Sequence, residues 1–255
     1  MEEKKQFKIE GGSLEKSLKG EIQIDLKAIT KEAWDLSKNT KTAVLHGVLL
    51  LFFIALIFAW VLQSVFGITD LSIVPQRMII SLKVAGIIVT TPIIATMFLL
   101  GISHSVGAKP RFLSILKNVT SSVLVVLLAL LLAAMSDLGS FVGSQINVLL
   151  GMSVIFYINL ATGFSIMLLI EKKLAPSKCV VQSLKVFHKY WMPLTLFYIA
   201  YYCCLILGAL SFGFAYIWII PFFINMKGIL YRELFGVKVR DVNDKPDQDE
   251  GVFHA

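Results

Sequence analysis

The chain has 255 residues, 56% of them hydrophobic and only 16% charged, whereas soluble domains carry about 25% charged and roughly 45–50% apolar residues. This balance excludes an ordinary soluble domain and points to an all-α, polytopic membrane protein with apolar surface turned to lipid. The formal net charge of +7 does not point to nucleic acid, because the basic residues sit between hydrophobic runs, where the membrane surface explains them.

Residues 1–24 are charged and glycine-dotted, and a weakly ordered cytosolic arm is expected there, with Phe7-Lys8-Ile9 and Glu21–Asp25 as brief extended pieces. No signal peptide is expected, because this polar stretch precedes the first apolar run. Asp25 has the character of an N-cap, and Leu26, Ile29, Ala33 and Leu36 mark one helical face, with Trp34 near its edge. Lys27, Lys31, Lys38 and Lys41 fall on other faces or near the helix end. Such a helix suits either the lipid headgroup region or packing against protein.

The first span is predicted over Ala43–Phe66, followed by a turn over Gly67–Val74. Pro75 can open the next helix, whose apolar part is Val84–Ile102; Lys83 is expected to snorkel outward and Pro92 to bend the span. A loop over Ser103–Asn118 holds Lys109, Arg111 and Lys117, with Pro110 opening a short helical piece. The third span is Val119 to about Leu138, the link Gly139–Ile146, and the fourth span Val148–Ile170, with Gly151, Asn159, Thr162 and Gly163 on or near one face. After Pro176, Val181, Leu184 and Phe187 alternate at helical spacing with Lys185, His188 and Lys189, and Tyr190 and Trp191 mark a boundary. The fifth span is Met192–Phe212 and the sixth about Ala215–Tyr231. Domain organisation is therefore read as an arm over 1–24, a six-span membrane domain with interfacial amphipathic helices over 25–240, and an acidic disordered tail over 241–255.

One stretch organises this pattern. Ile219–Gly236 carries Pro221 and Asn225 in an apolar run and ends in a charged foot of Lys227, Arg232 and Glu233. Thr90–Gly107 has the same outline, with Pro92, Met97 and Gly107 at the offsets of Pro221, Met226 and Gly236, and Thr96 where Asn225 falls. The chain also divides into three units, each a basic lead-in followed by two spans, which is read as a threefold helical-hairpin repeat, more strongly for the first and third units. Of the 24 lysines and arginines, 22 fall on one side of such a scheme and only Arg77 and Lys83 on the other. The positive-inside rule then puts both termini in the cytoplasm of a bacterial inner-membrane protein.

No catalytic constellation, cofactor motif or metal-ligand spacing is found in the sequence, and Cys179, Cys203 and Cys204 read as reduced and structural. Thr96, Asn159 and Asn225 are the candidate intramembrane polar positions, serving as helix–helix bonds or as the lining of a polar cavity. Lys38, Lys41, Arg111, Lys117, Lys185, Lys189, Lys227 and Arg232 are candidate contacts for anionic lipid headgroups, with Lys227 snorkelling to the cytoplasmic side.

The lead-in SLKVFHKYWMPL, Pro221 within an apolar span, the closing YRELFG and the opening LKGEIQIDLKAITKEAW resemble bacterial integral membrane proteins of the broad YciC-like group. The resemblance covers both ends of the chain and, loosely, its whole length. It implies a fold family and brings no particular reaction. The expected function is non-enzymatic: a structural or regulatory envelope protein contacting anionic lipid or a partner membrane protein. The alternative is a carrier or channel for a small or amphiphilic solute through the even-numbered spans.

Overall fold

The structure, a computed structural model, describes residues 7–64, 67, 74–120 and 123–240. The turn holding Asp70 and the acidic tail over 241–255 lie outside the described residues. Ten helices and two short strands make up the ordered elements among the described residues. Five helical segments are long and apolar enough to cross a membrane: α2 (Leu26–Ser64), α3 (Gln76–Ser105), α5 (Val123–Ile146), Val148–Lys172 and α9 (Trp191–Leu210). This is the make-up of a multi-pass membrane protein. The last helix, α10 (Tyr216–Phe235), is not among the five, because Lys227, Arg232 and Glu233 crowd its 20 residues.

Asp25 starts α2 by accepting from the backbone N–H groups of Lys27 at 2.9 Å and Ala28 at 3.1 Å, which satisfies donors that a helix start leaves orphaned. The helix then runs unbroken for 39 residues, so the amphipathic lead-in and the first apolar run are a single rod of about 58 Å. Its buried positions, Ile29, Ala33, Ser37, Thr40, Val44 and Gly47, recur every three or four residues and form one narrow stripe. Beyond Gly47 the large side chains turn outward, as at Phe52, Phe53, Ile57 and Trp60. In α3 the division is along the length. Residues before Thr91 are mostly exposed and those from Thr91 to Ser105 mostly buried.

Much of what buries both regions is α10. It lies between α2 and the second half of α3 and is enclosed on nearly all sides from Asn225 onward. Two glycines let α10 and α3 touch backbone to backbone. A Cβ on Gly228 would overlap the carbonyl of Gly101, and one on Gly101 would overlap the carbonyl of Ile224. Close approach through small residues is the usual way membrane helices gain packing contacts.

The remaining helices build outward. The short helical piece expected after Pro110 is α4 (Phe112–Thr120), which buries Phe112, Ile115 and Val119. The third span ends later than its apolar run suggests: α5 runs to Ile146, and Asn147 alone links it to α6 (Val148–Ala161). Asn147 makes so short a link workable by capping α6, its side chain accepting from Leu149 N–H at 2.8 Å. The two helices approach through Gly143 and Gly151. The fourth span is broken: after α6 the chain turns at 162–164 and resumes as α7 (Ser165–Lys172). Helix α8 (Pro176–Lys189) opens with proline in its first turn, and α9 follows it directly at Tyr190.

Residues 7–24, where weak order is expected from composition, form strand β1 (Phe7–Glu10) and helix α1 (Leu14–Lys19), docked on the end of α10. Strand β1 pairs antiparallel with β2 (Val237–Arg240), Ile9 opposite Lys238. Gly12 N–H donates to the Arg232 carbonyl at 3.1 Å and the Ser17 hydroxyl donates to the Leu234 carbonyl. A side chain at Gly11 or Gly12 would overlap the backbone of Arg232 or Glu233, so the glycines that make the arm look loose are what let it lie flat on α10.

The Gly101–Gly228 contact yields a direct test. Gly228→Ala should lower stability in detergent by about 1–3 kcal/mol, the usual cost of overpacking. Gly86→Ala, where a Cβ meets nothing within 4 Å, should be neutral or stabilising by up to about 1 kcal/mol through helix propensity. Thermal unfolding of both variants reads the difference.

Candidate functional site

The polar residues of α10 divide by face. At about 100° per residue, Arg232 lies within about 20° of Asn225, whereas Lys227 lies about 200° away from it. Asn225 and Arg232 therefore meet α2 and α3, and Lys227 points to the other side of the helix.

Asn225 is fully buried. Its amide nitrogen donates to the hydroxyls of Ser37 at 3.0 Å and Thr40 at 3.1 Å, and its carbonyl oxygen accepts from His104 Nδ1 at 2.8 Å. Ser37 and Thr40 each donate in turn to a carbonyl one turn back in α2, at Ala33 and Leu36. Two turns further on, Arg232 makes a two-pronged pair with Glu32, at 2.7 and 3.0 Å, and donates as well to Glu233 and to the Ser105 carbonyl. Planar, bidentate pairing of this kind fixes orientation as well as distance. A third knot ties Tyr231, whose hydroxyl donates to Glu171 at 2.9 Å, while neighbouring Lys172 donates to the Gly236 carbonyl at 2.6 Å. All these groups are satisfied within the protein. They hold helices together and present nothing to a ligand.

The opposite face is different. Ile220, Phe223, Ile224 and Lys227, spaced along one side of α10, line a cavity of about 290 Å³. Ile94 and Phe98 of α3, Leu132 of α5, Asn159 of α6, Ile166 of α7 and Phe197, Tyr198, Tyr201 and Tyr202 of α9 complete its walls, together with Thr162 and Gly163 at the break in the fourth span. The ammonium of Lys227 sits 3.9 Å from the centroid of the Phe98 ring and 6.0 Å from those of Phe164 and Tyr198, a geometry in which the ring faces attract a cation. No ion pair or hydrogen bond to the Lys227 side chain occurs among the described residues. Tyr198 is 6% exposed, and its hydroxyl has no hydrogen-bond partner among the described residues. It fits only because residue 163 is glycine, since a Cβ there would overlap that hydroxyl. The break itself is stabilised from α8: the Ser183 hydroxyl donates to the Ala161 carbonyl at 2.8 Å and accepts from Phe164 N–H at 3.3 Å. Backbone freed in the membrane must find such partners, and irregular backbone is tolerated there where protein buries it or where it lines a cavity.

The predicted polar positions thus separate. Asn225 is a buried three-way bond. Asn159 is exposed, lines the cavity and, among the described residues, donates only to its own helix, at the Ile155 carbonyl, 2.8 Å away. Thr96 is buried and donates to the Pro92 carbonyl one turn back. Of the predicted lipid contacts, Lys227 lines the cavity and Arg232 is engaged with Glu32, so neither forms part of an exposed basic surface. Arg111, Lys117, Lys185 and Lys189 are exposed on and beside α4 and α8. Lys38 and Lys41 lie beside Trp34 and Trp218, Lys38 5.9 Å from the first ring and Lys41 5.5 Å from the second, around a recess of about 130 Å³ on the α2–α10 seam. Lys38 also pairs with Asp35 at 3.1 Å. A second recess of about 700 Å³ lies between α1 and α8, lined by Leu18, Val181, Leu184, Lys185, His188 and Lys189.

Of the three positions offered by the sequence as possible lining of a polar cavity, Asn159 lines this one and Thr96 and Asn225 do not, while the part played by Lys227 and the tyrosines was not anticipated. The one local signal for the tyrosines is the run of Tyr198, Tyr201 and Tyr202, which places three hydroxyl-bearing rings on one face of an otherwise apolar helix. Among the described residues no group of histidine, cysteine and acidic side chains could hold a metal ion. Cys179 is fully buried, and burial pushes its thiol up to about 11, which leaves it unreactive at neutral pH. Compared with protein-family models, with curated proteins and with solved structures, the chain matches none.

The two asparagines should respond differently to the same change. Asn225→Leu leaves His104 without its partner and should lower stability by about 1–2 kcal/mol. Asn159→Leu removes only a bond within its own helix and should change stability by less than about 0.5 kcal/mol. Thermal unfolding in detergent measures both.

Proposed function

We propose that the protein is a non-enzymatic, six-span protein of the bacterial inner membrane, both termini cytoplasmic, whose basic face holds anionic lipid headgroups or an acidic membrane partner. The observation that carries this reading is the Lys38–Lys41 recess. Tryptophans favour the membrane–water interface, and a lysine beside each of two such rings offers positive charge at headgroup depth, worth about 1 kcal/mol per residue toward an anionic surface. Lys185 and Lys189, beside the apolar Val181 and Leu184, repeat the combination on α8.

The sixth crossing is supported by the pairing of α10 with α9. Both have 20 residues, and across the tight turn that joins them the Tyr216 hydroxyl of α10 donates to the Leu205 carbonyl of α9 at 2.9 Å. If α9 crosses, α10 returns over the same thickness. The threefold repeat draws support from element order, α4 and α8 leading into the second and third hairpins where the first lead-in is continuous with its span, and from Gly107 and Gly236. These two aligned glycines end their helices with φ of +78° and +64°, the left-handed region that glycine enters without a steric cost. The resemblance to YciC-like membrane proteins belongs to the same proposal. The carrier reading keeps one supporting observation, the cavity containing Asn159.

Topology is tested by impermeant thiol labelling in whole cells. Cysteines placed at Gln145 and Gly213 should label from the periplasm, and one at Lys185 only after the membrane is opened. Labelling of position 185 from outside would overturn the orientation. Headgroup binding is tested with purified protein. Retention of cardiolipin or phosphatidylglycerol should fall as salt rises and should weaken in Lys38→Gln/Lys41→Gln and Lys185→Gln/Lys189→Gln variants that still fold. Binding indifferent to salt and to these lysines would reduce the basic face to a topology signal.

A further inference from the structure

The Lys227 cavity is separate from the basic face and has the composition of a ligand site. We propose that it binds one anionic amphiphile: a single apolar chain bearing a carboxylate or phosphate head, the head meeting Lys227 and Tyr198. Ligand pockets are mostly apolar with a few convergent polar groups, and this one offers an ammonium with no acidic partner among the described residues and a phenol, 6% exposed, with no partner for its hydroxyl. Both can donate to an oxygen anion. An ammonium held away from water is costly unless an opposite charge or strong acceptors compensate it, and ring faces do so only in part. Glu171 is engaged with Tyr231 and Lys172, and Asp137 with Lys83, and no acidic residue lines the cavity among the described residues. An anion brought by the ligand completes the site.

The walls select for the rest of the molecule. Ile94, Leu132, Ile220 and Phe223 offer hydrocarbon and ring surface with no charge, which suits an acyl chain and excludes a free inorganic anion as the best occupant. At about 290 Å³ the space lies at the lower edge of the roughly 300–1,000 Å³ typical of small-molecule pockets, enough for a head and the first part of a chain. The break at 162–164 supplies the room beside Tyr198, as broken helices do at binding sites in other membrane proteins.

The test uses the full chain purified in an uncharged maltoside detergent. Binding of laurate, of a lysophosphatidate of matched chain length and of dodecanol is measured by native mass spectrometry and by shift of the unfolding temperature. At least one of the two anions should bind about tenfold or more tightly than the alcohol, and which one does so identifies the head as carboxylate or phosphate. Lys227→Met, close in size, should abolish that preference while leaving alcohol binding unchanged, and Tyr198→Phe should weaken anion binding several-fold. Lys185→Gln/Lys189→Gln should leave this site untouched, so its failure and that of the basic-face reading are told apart. Equal binding of anion and alcohol by the wild-type chain, or no saturable binding of any of the three, overturns the proposal without recourse to a variant. Undiminished anion preference in folded Lys227→Met overturns it equally.

Discussion

Asn225 holds one face of α10 against α2 and α3 by hydrogen bonds that a membrane interior leaves no other way to satisfy, and Arg232 holds the same face two turns on through Glu32 and the Ser105 carbonyl. An amide or guanidinium facing lipid would cost several kcal/mol, so the helix has one rotation in which both are bonded. That rotation decides much else. It puts Gly228 on Gly101, where backbones meet. It turns Lys227 to the far side, over Phe98 and into the cavity. It brings the end of α10 to the place where Gly12 and Ser17 dock.

The same logic explains the fourth span. A continuous helix through 162–164 would satisfy its own backbone, and the break requires a partner from elsewhere. Ser183 supplies both a donor and an acceptor from α8, so a helix expected to lie at the interface also props the cavity wall. The surface and the interior are coupled through this one hydroxyl. Polar side chains here serve structure on one side of α10 and remain uncommitted on the other.

Much of the fold was legible in the sequence because it rests on local chemistry. Asp25 caps α2, Pro176 opens α8, and Gly107 and Gly236 end helices in the left-handed region, each as its residue type demands. The centrality of the Ile219–Gly236 stretch was also readable, from the density of special residues within it. Span limits were less so, since the apolar run of the third span fades at Leu138 while the helix runs on to Ile146, held against α6 by a glycine contact that composition does not register. The N-terminal arm escaped for a different reason. Strand β1 is stabilised by β2, at the other end of the sequence, and a short polar strand carries no trace of a partner so distant. The cavity needs faces from five helices around α10, and only the rotation of that helix tells Lys227 from an ordinary boundary lysine.

The centrality of α10 bears on how the protein is made. Arg232 meets Glu32 across 200 residues of chain, and Asn225 meets Ser37 across 188. During synthesis Glu32, Ser37, Thr40 and His104 are all in place long before the helix that completes them leaves the ribosome. The early hairpin must therefore wait with a polar seam open, kept wet or held by the insertion machinery, and the core closes in one late step when the final helix slots between its oldest neighbours. Contacts of such long range form slowly, and a nascent chain arrested before that step exposes the seam that quality control would read.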